Sequence, residues 1–400
     1  MSRDVIFDVA IAGGGIVGSA CALACAEREL RVVLVERDVL GSGATAAGMG
    51  HIVVMDDSEA QFALTHYSQQ LWHNRAPQLP ASVEYEQRGT LWIAADAEEL
   101  QAAEMKHAWY SERSVPCKML TASELAEAEP NLAEGLAGAL LIPEDAVVYP
   151  PTAALDLARD AQKLGAQLIS DKSVRAIGDG CLKLHDGSEV RAHKVVNALG
   201  AEAVRVSPGL PIRKRKGHLV ITDRYPGFVN HQLVELGYLK SAHSVNADSV
   251  AFNVQPRQTG QLLIGSSRQF DAEHSEVDPH ILSAMLTRAA LYLPAVGDLS
   301  AIRVWTGFRA ATPDKLPLIG PDPLDSTVLL ATGHEGLGIT TSLATAELIA
   351  DMLTGTKPAI PIEPYLPARY ALANSTDIQP TNEETHAVDW SHAGIDNGIR

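Results

Sequence analysis

The stretch from Asp8 to Glu36 limits what this chain can fold into more than any other part of it. Residues 5–12 form a mostly apolar run rich in β-branched side chains, as a buried parallel strand requires. The run ends in Gly13-Gly14-Gly15-Ile16-Val17-Gly18, a G-x-G-x-x-G. A small-residue helix is expected over 19–29, then a second strand over 32–35, closed by Glu36. Such glycines say little alone; the strand–turn–helix–strand–acid setting makes them a dinucleotide fingerprint. Gly13 permits the tight turn, Gly15 lets a pyrophosphate approach the backbone, and Gly18 lets helix and strand pack closely. The N–H groups at the helix start then bind phosphate without a lysine. Glu36, with Arg37 beside it, can accept hydrogen bonds from a ribose 2′-hydroxyl, which argues against a 2′-phosphorylated ligand.

Bulk properties exclude some classes of function. Four hundred residues with 46% hydrophobic content suffice for a large core. A formal charge of −17 disfavours nonspecific nucleic-acid binding, which needs a basic surface. The run Arg213-Lys214-Arg215-Lys216 is either a solvated loop or a cofactor-side or partner-docking patch. Cys21 and Cys25 lie one helical turn apart among alanines and read as small core residues; with Cys117 and Cys181 they fit a reducing compartment. The first residues lack a signal-peptide pattern, and the apolar runs are too short for a bilayer span. A cytoplasmic protein is expected, with membrane association only through a partner, and with no metal site.

The nucleotide-binding pattern returns twice along the chain. A loop of small residues, 41–51, follows the first unit, and an amphipathic helix is expected over 58–75. Residues 83–86 and 89–94 read as strands, 97–113 and 122–128 as helices, and the stretch through Pro130, Gly135, Gly138 and Pro143 as a connection. Helix 152–163 and strands 167–170, 173–177 and 193–201 return to the first pattern. Strands at 218–222, 250–254 and 261–265 and a helix at 279–293 form a second excursion. Strand 327–332, turn 333–338 and helix 339–353 close the fold. The expected class is α/β. A discontinuous Rossmann-like domain (1–80, 145–215, 301–372) interleaves with an α+β substrate domain built on an antiparallel sheet (81–144, 216–300). A polar tail is expected over 373–400. This interleaving suits FAD lying extended between chain segments. The turn 333–338 opens a helix whose positive end would stabilise an electron-rich reduced ring.

Six segments occur in the order of a known family. They are the glycine fingerprint, Glu36-Arg37, residues 43–49, Val195-Val196-Asn197-Ala198-Leu199-Gly200, Trp305-Thr306-Gly307-Phe308-Arg309, and Gly333-His334-Glu335-Gly336-Leu337-Gly338. Over residues 5–370 the chain resembles the FAD-dependent D-amino-acid oxidase and glycine oxidase family, which includes sarcosine oxidases. Residues 255–261 and 264–270 look most like D-hydroxyproline dehydrogenase-type subunits, to which cyanide-forming glycine dehydrogenase and opine dehydrogenase subunits are similar.

The resemblance implies oxidation of a C–N bond beside a carboxylate, with a hydride leaving carbon for the flavin and an imine as product. It implies FAD contacts at Gly13, Gly15, Ile16, Val17, Gly18, Glu36, Arg37, Ala44, Thr45, Ala47, Gly48, Met49 and Gly50. Further contacts are implied at Val174, Ala198, Gly200, Gly307, Gly333, His334, Gly336, Leu337, Gly338, Ile339 and Thr340. Arg309 matches the carboxylate anchor, with Arg257 and Arg268 as rivals and an ion pair to Asp314 as the structural alternative. His51 is expected to touch substrate or tune the ring, and with Arg309 to carry the catalysis. Tyr238 and Glu335 are expected to line the substrate pocket. Covalent sarcosine oxidases use a cysteine in the C-terminal part; this chain has none after Cys181, so noncovalent FAD is expected. Three readings stay open: a dehydrogenase passing electrons to a partner subunit or quinone, an oxidase using oxygen directly, and a catalytically silent FAD subunit of a larger complex. An oligomer is expected.

Overall fold

The N-terminal unit forms as strand Ile6–Ala12, helix Ile16–Glu27 and strand Val32–Val35. The structure, a computed structural model, describes residues 6–237, 248–270 and 272–373. The helix starts three residues before its expected position, because extended Gly15 is its N-cap and Ile16 already has helical geometry. It is apolar on every side, as a helix enclosed by neighbours must be. The sheet, helix Pro150–Lys163 and helix Gly338–Thr354 enclose it. Its alanines and the buried Cys21 and Cys25 let those neighbours approach closely.

The first sheet runs in the order Leu318–Asp322, Asp325–Thr332, Glu189–Asn197, Ile6–Ala12, Val32–Val35, Gln167–Ile169. Along this path the pairs are parallel except that of Leu318–Asp322 with Asp325–Thr332. A hairpin, Val174–Gly178 with Cys181–Leu184, adds antiparallel to Glu189–Asn197. Strand order reverses on either side of Ile6–Ala12, the place where such sheets open a crevice for ligands.

The second sheet runs Ala301–Ala311, Arg213–Arg224, Gln261–Phe270, Ser249–Pro256, Gln232–Glu235, Thr90–Ala94, Gly138–Ile142, Lys118–Thr121. It is antiparallel apart from the Gln232–Glu235 and Thr90–Ala94 pair. The architecture is therefore the expected Rossmann-like layer with an interleaved α+β part. The expected divisions at 215/216 and 300/301 cut through this sheet, because Ala301–Ala311 pairs with Arg213–Arg224 along almost its whole length.

Three local readings are corrected. Residues 83–86 are not a strand: Ala81–Val83 is a 3-10 turn, Glu84 has a left-handed backbone, and Glu86 makes one isolated bridge to Val147. The alternating side chains there mimic a strand, but the turn and the left-handed Glu84 leave only Glu86 extended against a partner. Gly138–Ile142 is a buried strand and not a connection. The basic run 213–216 is not a solvated loop: it opens strand Arg213–Arg224, with Arg215 and Lys216 buried. Most of the tail expected over 373–400, and Tyr238, lie outside the described residues. Among the described residues, no helix is long and apolar enough to cross a membrane.

Candidate functional site

One cleft of about 580 Å³ collects residues from both sheets. At one end, Gly13 has a left-handed backbone, and a Cβ there would meet the Ala198 carbonyl oxygen at 2.7 Å. Only glycine lets the first strand turn beneath the end of Glu189–Asn197. Gly15, Ile16 and Val17 line the cleft at the helix start. No side chain of the N-cap residue caps that helix, so its first N–H groups face the cleft with a positive helix end behind them. Thr45, from the small-residue loop, takes one of them: its Oγ1 accepts from Ile16 N at 3.0 Å. Glu36 is buried and held by two backbone donors, Gly14 N at 2.6 Å and Asp38 N at 2.8 Å. Arg37 pairs with Asp38 at the rim. Val174, Ala198 and Gly200 complete this end.

Ala44, Ala47, Gly48 and Met49 form the middle wall. A Cβ on Gly307 would sit 2.4 Å from Ala47 Cβ, so loop and second sheet touch backbone to side chain. At the far side, Gly333, His334, Glu335, Gly336, Leu337, Gly338 and Ile339 line the cleft around the start of helix Gly338–Thr354, whose N-cap also lacks a side-chain bond. Burial pushes the His334 ring down to about 4, so it is neutral, and its Nε2 meets Thr345 Oγ1 at 3.0 Å. Two helix starts whose N-cap residues make no side-chain bond, a pinned acid and a glycine-lined floor suit an extended dinucleotide.

Three expected contact residues are set back from the cleft wall. Gly18 faces the first strand, where a Cβ would lie 1.8 Å from the Gly13 carbonyl oxygen. Gly50, with φ of 105°, passes against Val148. Thr340 turns its hydroxyl to the His51 carbonyl at 2.8 Å.

Arg309 lies flat across the second sheet. Its Nη1 donates to the Ser267 carbonyl at 2.9 Å, two strands away from its own. Gly217 makes that reach possible: a Cβ there would sit 2.5–2.9 Å from the guanidinium atoms. Gly336 passes close to the same side chain: a Cβ there would sit 3.2 Å from Arg309 Cδ and Nε. Burial and the neighbouring Arg215 lower the Arg309 pKa to about 10, which leaves it charged at neutral pH. Asp314, the structural alternative, pairs with Arg369 instead. Of the rivals, Arg257 pairs with Glu84 outside the cleft, while Arg268 lines the cleft within electrostatic reach of Arg309. Glu335 faces the cleft ion-paired to Arg215.

Both ring nitrogens of His51 are engaged. Nδ1 faces Gln232 Oε1, and Nε2 meets Asn253 Nδ2 at 3.3 Å. Gln232 Nε2 donates to the Ala146 carbonyl, so its oxygen is the atom turned to His51. These bonds assign a neutral ring with the proton on Nδ1, and burial lowers its pKa further. His51 thus lines the cleft without a nitrogen available for proton transfer. Gly217, Gln232 and Asn253 escaped the sequence reading. Gly217 stands directly opposite Gly307 in the sheet register, a pairing no local pattern reveals.

Behind this wall Asp145 is fully buried, accepting from Val54 N at 3.2 Å and Gln69 Nε2 at 2.9 Å. Burial pushes its carboxyl up to about 7. The folded state therefore holds a proton that the unfolded chain has already lost, and stability falls as pH rises from about 4 to 7. Asp145→Asn is expected to raise stability at about pH 8 by on the order of 2 kcal/mol more than at about pH 5. Melting temperatures of both proteins at the two pH values check this.

Residues 8–352 match the family profile described as FAD dependent oxidoreductase (DAO). The chain is 30% identical to glycine oxidase of Geobacillus kaustophilus over 91% of its own length and 97% of that protein's. The crystal structure of that species' glycine oxidase superposes with a TM-score of 0.81 at 28% identity, covering 91% of this chain and 98% of the other. L-proline dehydrogenase from P. horikoshii gives a TM-score of 0.81 at 25% identity, covering 92% and 99%. With its cleft built from both sheets and its profile match across most of its length, the chain belongs to the DAO family of FAD-dependent oxidoreductases.

Proposed function

We propose that the protein oxidises the C–N bond of a D-configured or secondary amino acid, with D-hydroxyproline and D-proline as leading candidates, and passes the electrons to a partner subunit or quinone. The observation that carries this reading is Arg309, a guanidinium pressed between Gly217 and Gly336 on the cleft wall. Its planar fork matches a carboxylate bidentately, fixing orientation as well as affinity. Arg268 adds a second positive charge to the same wall. The relatives agree with an amino-acid substrate: several are glycine oxidases, and one solved structure is an L-proline dehydrogenase.

Bound FAD supplies a two-electron acceptor. Gly15, Ile16, Val17 and Glu36 would hold its phosphate and ribose end, and the turn 333–338 with the helix start behind it would hold the ring end. Arg309 orients the substrate carboxylate, while neutral His51, fixed by Gln232 and Asn253, shapes the wall without taking a proton. Removal of a hydride needs a neutral amine and not a strong protein base.

FAD is expected to be noncovalent. Acid precipitation should release the yellow colour into the supernatant; a yellow pellet would overturn this.

Direct use of oxygen is the second reading, favoured by the relatives named glycine oxidase. Purified protein is expected to reduce an artificial dye with D-proline or D-hydroxyproline while forming little peroxide in air. Stoichiometric peroxide would favour the oxidase. Absence of dye reduction with any amino acid would sink both readings.

A further inference from the structure

Arg309 meets Ser267 across the cleft face of the second sheet, and the opposite face holds the other half of that contact. Strand Arg213–Arg224 lies between the two residues. It pairs residue by residue with Ala301–Ala311 from Arg213 to Ile221, so its side chains alternate between faces there. Gly217 lines the cleft and gives the guanidinium room, and Leu219 packs with Met49 of the cleft wall. His218 and Val220 turn the other way, toward the core that holds Met285 of helix Pro279–Tyr292. His218 is fully buried. Toward strand Gln261–Phe270 the ladder is interrupted between Lys216 and Val220. In that gap the His218 N–H donates to the Ser267 hydroxyl at 2.9 Å, while the Ser267 carbonyl accepts from Arg309 Nη1.

The His218 ring is held at both nitrogens. Nε2 accepts from Asp278 N at 2.9 Å, so the proton of the neutral ring sits on Nδ1, which donates to Ser267 Oγ at 3.0 Å. Burial and the neighbouring Lys216 lower the pKa of this ring; Arg309 and His274 act in the same direction and Asp278 against it. Asp278 is itself fixed. It is the N-cap of helix Pro279–Tyr292, its Oδ1 accepts from His280 N at 2.9 Å, and its Oδ2 accepts from Gln269 Nε2, on the strand of Ser267, at 3.3 Å. His218 is set back from the cleft wall, so it acts on a ligand only through other groups.

Resting on the reading of Arg309 as carboxylate anchor, we propose that His218 is a positioning residue for the substrate: through the Ser267 hydroxyl it fixes the peptide group whose carbonyl sets the Arg309 guanidinium, and the start of helix Pro279–Tyr292 fixes His218 in turn. A guanidinium forks onto both oxygens of a carboxylate only when its plane is set. A backbone carbonyl sets that plane without neutralising the charge. It does so only as firmly as its own peptide group is held. Two hydrogen bonds to Ser267 Oγ, from the backbone and the ring of His218, supply that hold where the ladder to strand Arg213–Arg224 is broken.

The two ring nitrogens let the test separate positioning from packing. His218→Asn keeps an amide N–H near the place of Nδ1 and gives up the acceptor for Asp278. His218→Gln does the reverse, with Oε1 near the place of Nε2. Ser267→Ala removes the hydroxyl alone. Dye-linked kinetics of the purified yellow holoproteins with D-proline are expected to show KM raised about tenfold by Ser267→Ala and His218→Gln, with kcat within about threefold of the wild type. His218→Asn is expected to raise KM about threefold or less. Dissociation constants of 2-furoate, a carboxylate with no amine to oxidise, read from the shift of the flavin absorption band, are expected to follow the same order. Equal losses in the Asn and Gln variants, the reverse order, or a loss confined to kcat would overturn the positioning role. If neither His218 variant folds, Ser267→Ala decides, and an unchanged 2-furoate dissociation constant there overturns the proposal. A wild type that neither binds 2-furoate nor oxidises any amino acid would overturn the anchor reading of Arg309, and the role of His218 with it.

Discussion

Arg309→Lys is expected to lower kcat/KM by about a thousandfold, equivalent to about 4 kcal/mol. A substrate carboxylate drawn into this cleft loses its water, and on the order of 3–5 kcal/mol is at stake when such a charge lacks its partner. Lysine keeps the charge but cannot fork onto two oxygens. It also cannot hold the Ser267 carbonyl while presenting a second face to the substrate. Gly217→Ala supplies an independent check on the geometry. Its backbone is not left-handed, so alanine is conformationally allowed, and the nearest obstacle is the guanidinium itself. A tenfold rise in KM is expected there. Steady-state kinetics with a dye acceptor decide the matter, and Arg309→Lys within threefold of the wild type would remove Arg309 from its role.

The second large effect is expected at Gly18, far from the reacting end. A side chain there points at the Gly13 carbonyl oxygen, 1.8 Å from the Cβ, and neither group can yield without shifting the helix or the first strand. Gly18→Val is therefore expected to yield colourless protein. Its flavin absorbance per chain should fall at least tenfold, and its melting temperature should drop by several degrees. Added FAD should not restore the colour. A variant that purifies fully yellow would show that the helix start tolerates displacement.

Much of this was legible because the relevant physics is local. The turn at Gly13–Gly18, the acid at Glu36 and the terminal turn before helix Gly338–Thr354 each announce themselves within a few residues. Arg309 was legible only through family resemblance; nothing in its immediate sequence marks it. What stayed hidden depends on partners distant along the chain. The run 213–216 looks solvated by composition, yet Arg215 is buried because Glu335, 120 residues later, meets it. Gly217 matters because of an arginine two positions beyond its register partner Gly307. Residues 83–86 misled in the opposite sense: the right residue types for a strand stand where a 3-10 turn and a left-handed Glu84 leave only Glu86 able to pair, with Val147.

The order in which the first sheet is threaded has a consequence for biosynthesis. Strand Ile6–Ala12 emerges first, but its neighbour Glu189–Asn197 and the strand beyond that, Asp325–Thr332, emerge much later. The two helix starts that line the cleft, at Ile16 and Gly338, are separated by more than three hundred residues of translation. At about 5–20 residues per second, the ribosome needs about 15–60 s to bridge them. Throughout that interval the nascent chain carries an apolar strand with an open edge and a half-built cofactor cradle. Loading of the flavin is thus a late event of synthesis, and a chain cut short before helix Gly338–Thr354 would be unable to retain it.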